Sequence, residues 1–102
     1  MELPIEWLPA AGAPEQLILL FHGDAGSGAD MAPLAQALRA AFPQAALLAP
    51  DAAPSVGGSR HWAAAGPPDD DGLAPRLAAA LPGLLAWVQA QQQRLQVSPA
   101  AT

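Results

Sequence analysis

Leu17-Ile18-Leu19-Leu20-Phe21-His22-Gly23-Asp24-Ala25-Gly26 sets the architecture of this chain. Leu17 to Phe21 are five consecutive apolar residues with no alternation. Such a run reads as the central strand, buried on both faces, of the kind found in a parallel sheet. It stops at His22-Gly23 and passes into a loop holding Gly26 and Gly28, where the backbone is free to turn sharply. Asp30 and the periodic Met31, Leu34 and Leu38 then open a helix. At a corner of strand, tight loop and helix N-terminus, backbone N–H groups converge on whatever sits above the sheet.

The neighbouring segments fall into order around that corner. Leu3 to Leu8 reads as a short strand with Leu3, Ile5 and Trp7 on one face, and Pro4 confines it to an edge or a strand start. Asp30 to Phe42 reads as a helix, with Pro33 tolerated in its first turn and Pro43 ending it. Ala45 to Ala49 is a second short buried strand between Pro43 and Pro50. Asp51 to Gly72 has no periodicity, and a loop of that length is functional or hides an element. Leu73 to Gln96 is a long amphipathic helix whose apolar stripe includes Leu77, Leu81, Leu84, Leu85, Val88 and Leu95, with Pro82 inside it as a kink. Val97 to Thr102 reads as the lead-in to a further strand. This βαβα order implies a parallel sheet with right-handed crossovers and helices on its faces.

Bulk composition narrows the function classes. A chain of 102 residues is one domain at most, and an apolar fraction of 52% supports a core. The net charge is −5 and there is no Lys, which argues against nucleic acid and against an anionic membrane surface. The absence of Cys removes a disulfide framework, a thiolate nucleophile and Cys-based metal sites. No stretch approaches the roughly 20 apolar residues of a membrane helix, and the start has no signal-peptide pattern. A cytoplasmic protein without cofactor, metal or membrane insertion is the expectation.

The Gly-rich loop admits a phosphate reading, but its spacing is wrong. A dinucleotide fingerprint beginning at Gly26 needs Gly where Met31 stands, and no Lys-Ser/Thr pair follows. Asp69-Asp70-Asp71-Gly72 lacks the ligand spacing of a calcium loop and reads as a solvated turn near a helix N-terminus. His22 and His61 are the two histidines. Neither has a serine on a strand-to-helix elbow beside it, so His22 reads as a loop support and His61 as exposed or structural.

The order Leu17-to-Gly23, Met31, Phe42-Pro43, Ala49-Pro50, Arg60-His61-Trp62, then Val97-Ser98-Pro99 resembles the α/β-hydrolase superfamily. Within it, the chain resembles the bacterial phospholipase/carboxylesterase family of acyl-protein-thioesterase-like serine esterases. The resemblance spans nearly the whole chain and implies an α/β fold: a three-layer α/β/α arrangement with a mostly parallel sheet. It implies that the backbone N–H of Asp24 is one donor of an oxyanion hole, with His22 and Gly23 supporting its loop. Trp62 stands either in the substrate pocket or as a packing anchor. Asp24 and Ala25 depart from the family, which often has Gly at the second position. The side chain of Asp24 must then point away from a developing oxyanion.

The family's nucleophile lies in a G-x-S-x-G elbow, and this chain has none. Ser27, Ser55, Ser59 and Ser98 all fall in loops or the tail. The expectation is therefore a single, incomplete α/β-hydrolase domain over residues 1–102, inactive alone. Its Ser, Asp and His would be supplied downstream and its substrate would be a small ester or thioester. A non-catalytic module that self-associates through the exposed strand edge of Leu17–Phe21 is the competing reading. A phosphate- or nucleotide-binding module at the Gly-rich loop is the third.

Overall fold

The computed structural model describes residues 1–53, 58–63 and 72–102. Strand β1 covers Glu2–Trp7 and β2 covers Gln16–Leu19. A 3₁₀ turn over Gly28–Met31 leads into helix α1, Ala32–Ala41, followed by strand β3, Ala45–Asp51. Helix α2 runs from Leu73 to Leu95, and a short 3₁₀ turn, Pro99–Ala101, follows it. Asp69, Asp70, Asp71 and Ser55, considered above, lie outside the described residues.

The three strands form one sheet in the order β1-β3-β2. The middle place belongs to β3, all seven residues of which are buried, and not to the run Leu17–Phe21. Both runs lack alternation, and that pattern alone cannot say which of two buried strands is flanked on both sides. Small residues at Ala45, Ala46 and Ala49 let layers close in on both faces of β3. Strand β2 runs parallel to β3, with Leu17 opposite Ala46 and Leu19 opposite Leu48. Strand β1 runs antiparallel to it, so the described sheet is mixed rather than mostly parallel.

Strand β1 lies on an edge, as its proline requires, and its register slips between Glu2 and Ile5. Pro4 cannot donate to the ladder, and a bulge accommodates it. The slip has a further consequence. Ile5 and Trp7 pack with Leu47 and Ala49 on one face, while Leu3 packs with Leu17 and Leu48 on the other. The alternation expected of Leu3, Ile5 and Trp7 is broken because one extra residue moves the side chain before it to the opposite face.

Helices cover both faces. On the first, Ala35 of α1 is completely buried among Ile5, Leu20 and Leu47. Arg39 lies over the ring of Trp7, 5.3 Å from its centroid. The predicted helical start at Asp30 is a 3₁₀ turn, because the Asp30 N–H bonds back three residues to the Ser27 carbonyl at 3.1 Å. On the second face, Leu95 and Val97 are buried against Leu17 and Leu48, with Trp87 alongside.

Only the C-terminal part of α2 reaches that face. A helix of 23 residues is about 35 Å long, whereas the longest strand has seven residues and spans about 23 Å. The upstream stripe therefore stays in the open: Leu77, Leu81 and Leu85 are 46%, 49% and 54% exposed. The radius of gyration, 14.8 Å, exceeds the value of about 13 Å for a compact chain near this length. At its end α2 closes with Gln96 in the left-handed region, φ 55°. Val97 N–H then bonds Gln92 O at 3.0 Å, and the buried Val97 supplies the accompanying apolar contact. The tail does not begin a strand. Pro99 occupies the first position of a 3₁₀ turn, closed by Ala101 N–H on Ser98 O.

Candidate active-site corner

Because β2 and β3 are parallel, their carboxyl ends lie at the same end of the sheet, and the loops that follow them meet there. This is where ligands of open α/β sheets bind. His22, Gly23 and Asp24 follow β2, while Asp51 closes β3 and Ala52, Arg60, His61 and Trp62 come after it.

His22 is 3% exposed and both of its ring nitrogens are occupied. Nε2 accepts the backbone N–H of Ala52 at 3.0 Å, so Nδ1 carries the proton and donates to Gly23 O at 2.6 Å. With no lone pair free, the ring is a brace between the two loops and not a base. Trp62 adds a second tie, its indole N–H donating to His22 O at 2.9 Å. Its ring lies 4.7 Å from that of His22 and meets Phe21 edge-on at 5.2 Å. Trp62 is thus a packing anchor.

The amides after Gly23 are taken one by one. Ala25 N–H bonds Arg60 O at 2.9 Å and Gly26 N–H bonds Gly23 O at 3.0 Å. Ser27 N–H goes to Asp30 Oδ2 at 2.9 Å, and Gly28 N–H to Asp51 Oδ1 at 2.6 Å. The amide of Asp24 has no acceptor among the described residues. Its carboxylate is 75% exposed and turned outward, where it pairs with His61 Nδ1. Ala25 holds φ 62°, a left-handed turn that costs a non-glycine residue about 1 kcal/mol or more.

Asp51 is the residue that the pattern of the sequence did not bring forward. It is 7% exposed, accepts from Gly28, and faces Arg60 Nε at 3.9 Å. Arg60 also donates to Ala52 O at 2.9 Å and lies 3.7 Å from Glu2. The signal was available in Ala49-Pro50-Asp51: an acid ending a wholly apolar strand needs a partner to be buried. Gly28 is required at its place, since a Cβ there would stand 2.4 Å from Ala49 O and 2.7 Å from Pro4. Carboxylates of Asp30 and Asp51 thus hold the amides that a phosphate would need, which removes the basis of the phosphate reading.

Beside this corner lies a cleft of about 480 Å³ between Trp62 and the upstream half of α2. Ala52, His61, Trp62, Leu77, Leu81 and Leu84 are among its walls. Trp62 is thus both an anchor and a cleft wall. Among the described residues no group of His, Asp and Glu is arranged to hold a metal ion, and no helix is long and apolar enough to cross a membrane.

No protein-family model matches this chain, and no curated protein matches it. A solved structure does: the crystal structure of esterase PE8 superimposes with a TM-score of 0.83 over 100% of this chain, at 28% sequence identity. The chain shares the fold of an esterase. It spans 50% of the length of that esterase.

Proposed function

We propose that this chain is the N-terminal portion of a serine carboxylesterase or thioesterase of the α/β-hydrolase class, in the phospholipase/carboxylesterase family. In the reaction, a serine oxygen supplied from outside residues 1–102 attacks the carbonyl carbon of a small ester or thioester. The C=O bond opens to a tetrahedral oxyanion, the alcohol or thiol leaves with a proton, and water then cleaves the acyl-serine. The role of this chain is to hold one oxyanion donor, the N–H of Asp24, and to present Trp62 as a wall of the substrate pocket.

The observation that carries the reading is the accounting of amides at the corner. Among the described residues, every N–H from Asp24 to Gly28 has an acceptor except that of Asp24. The free one sits on a loop braced by His22 and Trp62. A donor fixed before the reaction costs no reorganisation when charge develops, and such a donor is worth roughly 3 kcal/mol of barrier. The fold shared with esterase PE8 supports the same reading.

Residues 1–102 alone are expected to show no turnover of a short-chain nitrophenyl ester, because no nucleophile elbow is present. Hydrolysis above background by this chain would overturn the proposal. A G-x-S-x-G in the coding sequence after Thr102 is the complementary expectation.

Among the described residues no strand pairs with the outer edge of β2, which favours a second reading, a non-catalytic module that assembles with another copy of itself.

A further inference from the structure

We infer that His61 is a positioning residue for the oxyanion donor: its ring clasps the carboxylate of Asp24 and so holds the turn that carries the Asp24 N–H. The use made of this clasp rests on the esterase reading, whereas the clasp itself rests on geometry. Three successive residues of the loop after β3 meet the loop after β2 in reverse order. Arg60 O accepts the Ala25 N–H at 2.9 Å, His61 Nδ1 pairs with Asp24 Oδ1, and the Trp62 indole N–H donates to His22 O at 2.9 Å. The first and last of these ties end on backbone groups of the partner loop, which any residue would offer. The middle one joins two side chains, and it needs Asp at 24 and His at 61.

The chemistry of the donor gives the clasp its purpose. A carboxylate close to a forming oxyanion repels it, and in a site shielded from water that repulsion is strong. Asp24 suits its position only if its carboxylate is kept turned away. His61 supplies the hold, and Nδ1 can donate as the neutral tautomer or as the cation, so the hold survives in either state of the ring.

The backbone gives a second reason. Ala25 holds φ 62°, a conformation disfavoured by about 5- to 30-fold for a residue with a Cβ. Such a turn persists where its surroundings over-determine it. The bond from Ala25 N–H to Arg60 O fixes the turn through the main chain, and the Asp24–His61 pair fixes the residue before it through the side chain.

Amide hydrogen exchange of the 102-residue chain, read residue by residue by NMR, tests this without turnover. An exposed pair of this kind is worth up to about fivefold in an equilibrium constant. Asp24→Ala and His61→Ala are therefore each expected to lower the protection of the Ala25 N–H by about fivefold. The double variant is expected to lose no more than either single one, rather than about 25-fold, because one change already breaks the pair. His61→Asn carries an amide N–H at the same δ position and is expected to stay within about twofold of wild type. The amides of β3 report global opening and are expected to keep wild-type protection in all four variants. Unchanged Ala25 protection in His61→Ala, a multiplied loss in the double variant, no rescue by Asn, or an equal fall in β3 would each overturn the assignment. The esterase reading fails separately. If the coding sequence after Thr102 lacks the elbow while the coupling between Asp24 and His61 stands, that reading falls and the clasp remains.

Discussion

At the scale of single residues, the corner is built from groups whose partners are nearly all internal. His22 shows this most directly. A histidine beside a Gly-rich loop invites a catalytic role, yet both nitrogens are spent on backbone groups of two different loops. Replacing it by Phe, which keeps the ring and removes both nitrogens, leaves the buried Ala52 N–H without its partner, whereas Gly23 O keeps the N–H of Gly26. Such a loss costs about 1–3 kcal/mol, so His22→Phe is expected to lower stability by about 2 kcal/mol in urea unfolding. An unchanged midpoint would mean that the two loops are not held through this ring. The resemblance in the sequence names His22, Asp24 and Trp62 together, and the loops after β2 and β3 that carry them meet in the structure. What they touch was not legible, because a hydrogen bond between positions 22 and 52 leaves no trace in local spacing. Asp51 was missed for the same reason: its acceptor role depends on Gly28, 23 positions away.

At the scale of elements, the kinds of element were legible and their places were not. Apolar runs located β2 and β3, and helical spacing located α1 and α2, with ends shifted by a few residues. Pairing order depends on contacts between distant segments, so the run with the more conspicuous sequence, Leu17–Phe21, reads as central although β3 holds that place. The bulge in β1 was hidden behind Pro4, which announced an edge but not a change of face. Helix α2 followed its pattern closely, yet half of its stripe has no cover, because the pattern reports what a face can bury and not what lies opposite. Its upstream half also contains Pro82-Gly83, two poor helix residues in succession. A Cβ at Gly83 would meet nothing within 4 Å. Gly83→Ala is therefore expected to stabilise the chain by about 1 kcal/mol through helix propensity alone. A rise of the thermal midpoint in circular dichroism checks it, and a fall would show that α2 is bent at Gly83 in a way a side chain obstructs.

At the scale of the whole molecule, the sheet ends where pairing groups are still on offer. Strand β2 bonds β3 on one side, and among the described residues no strand lies on its other side. After Gln16 its residues are apolar, with Leu17 buried and Ile18 and Leu19 half-buried, and no lysine blunts the edge. An edge of this kind pairs with whatever complementary strand is available. The two readings of function then separate on the state of the isolated chain. An assembly module has evolved a defined partner for this edge and is expected to run as a single oligomer, unchanged over a wide concentration range in sedimentation. Part of a larger esterase meets other copies only as substitutes for its missing half. It is expected to show mass that grows continuously with concentration. Gln16→Lys sharpens the distinction, because Gln16 begins β2, is already polar, and places a charge on the edge without emptying the core. In the esterase reading this variant shifts the chain toward monomer at every concentration, since adventitious pairing has no geometry to defend. In the assembly reading it removes one discrete species and leaves monomer in its place. A wild-type chain that stays monomeric throughout would show that the edge is already protected, and the self-association proposal would fall while the corner built by His22, Asp24 and Trp62 stood unchanged.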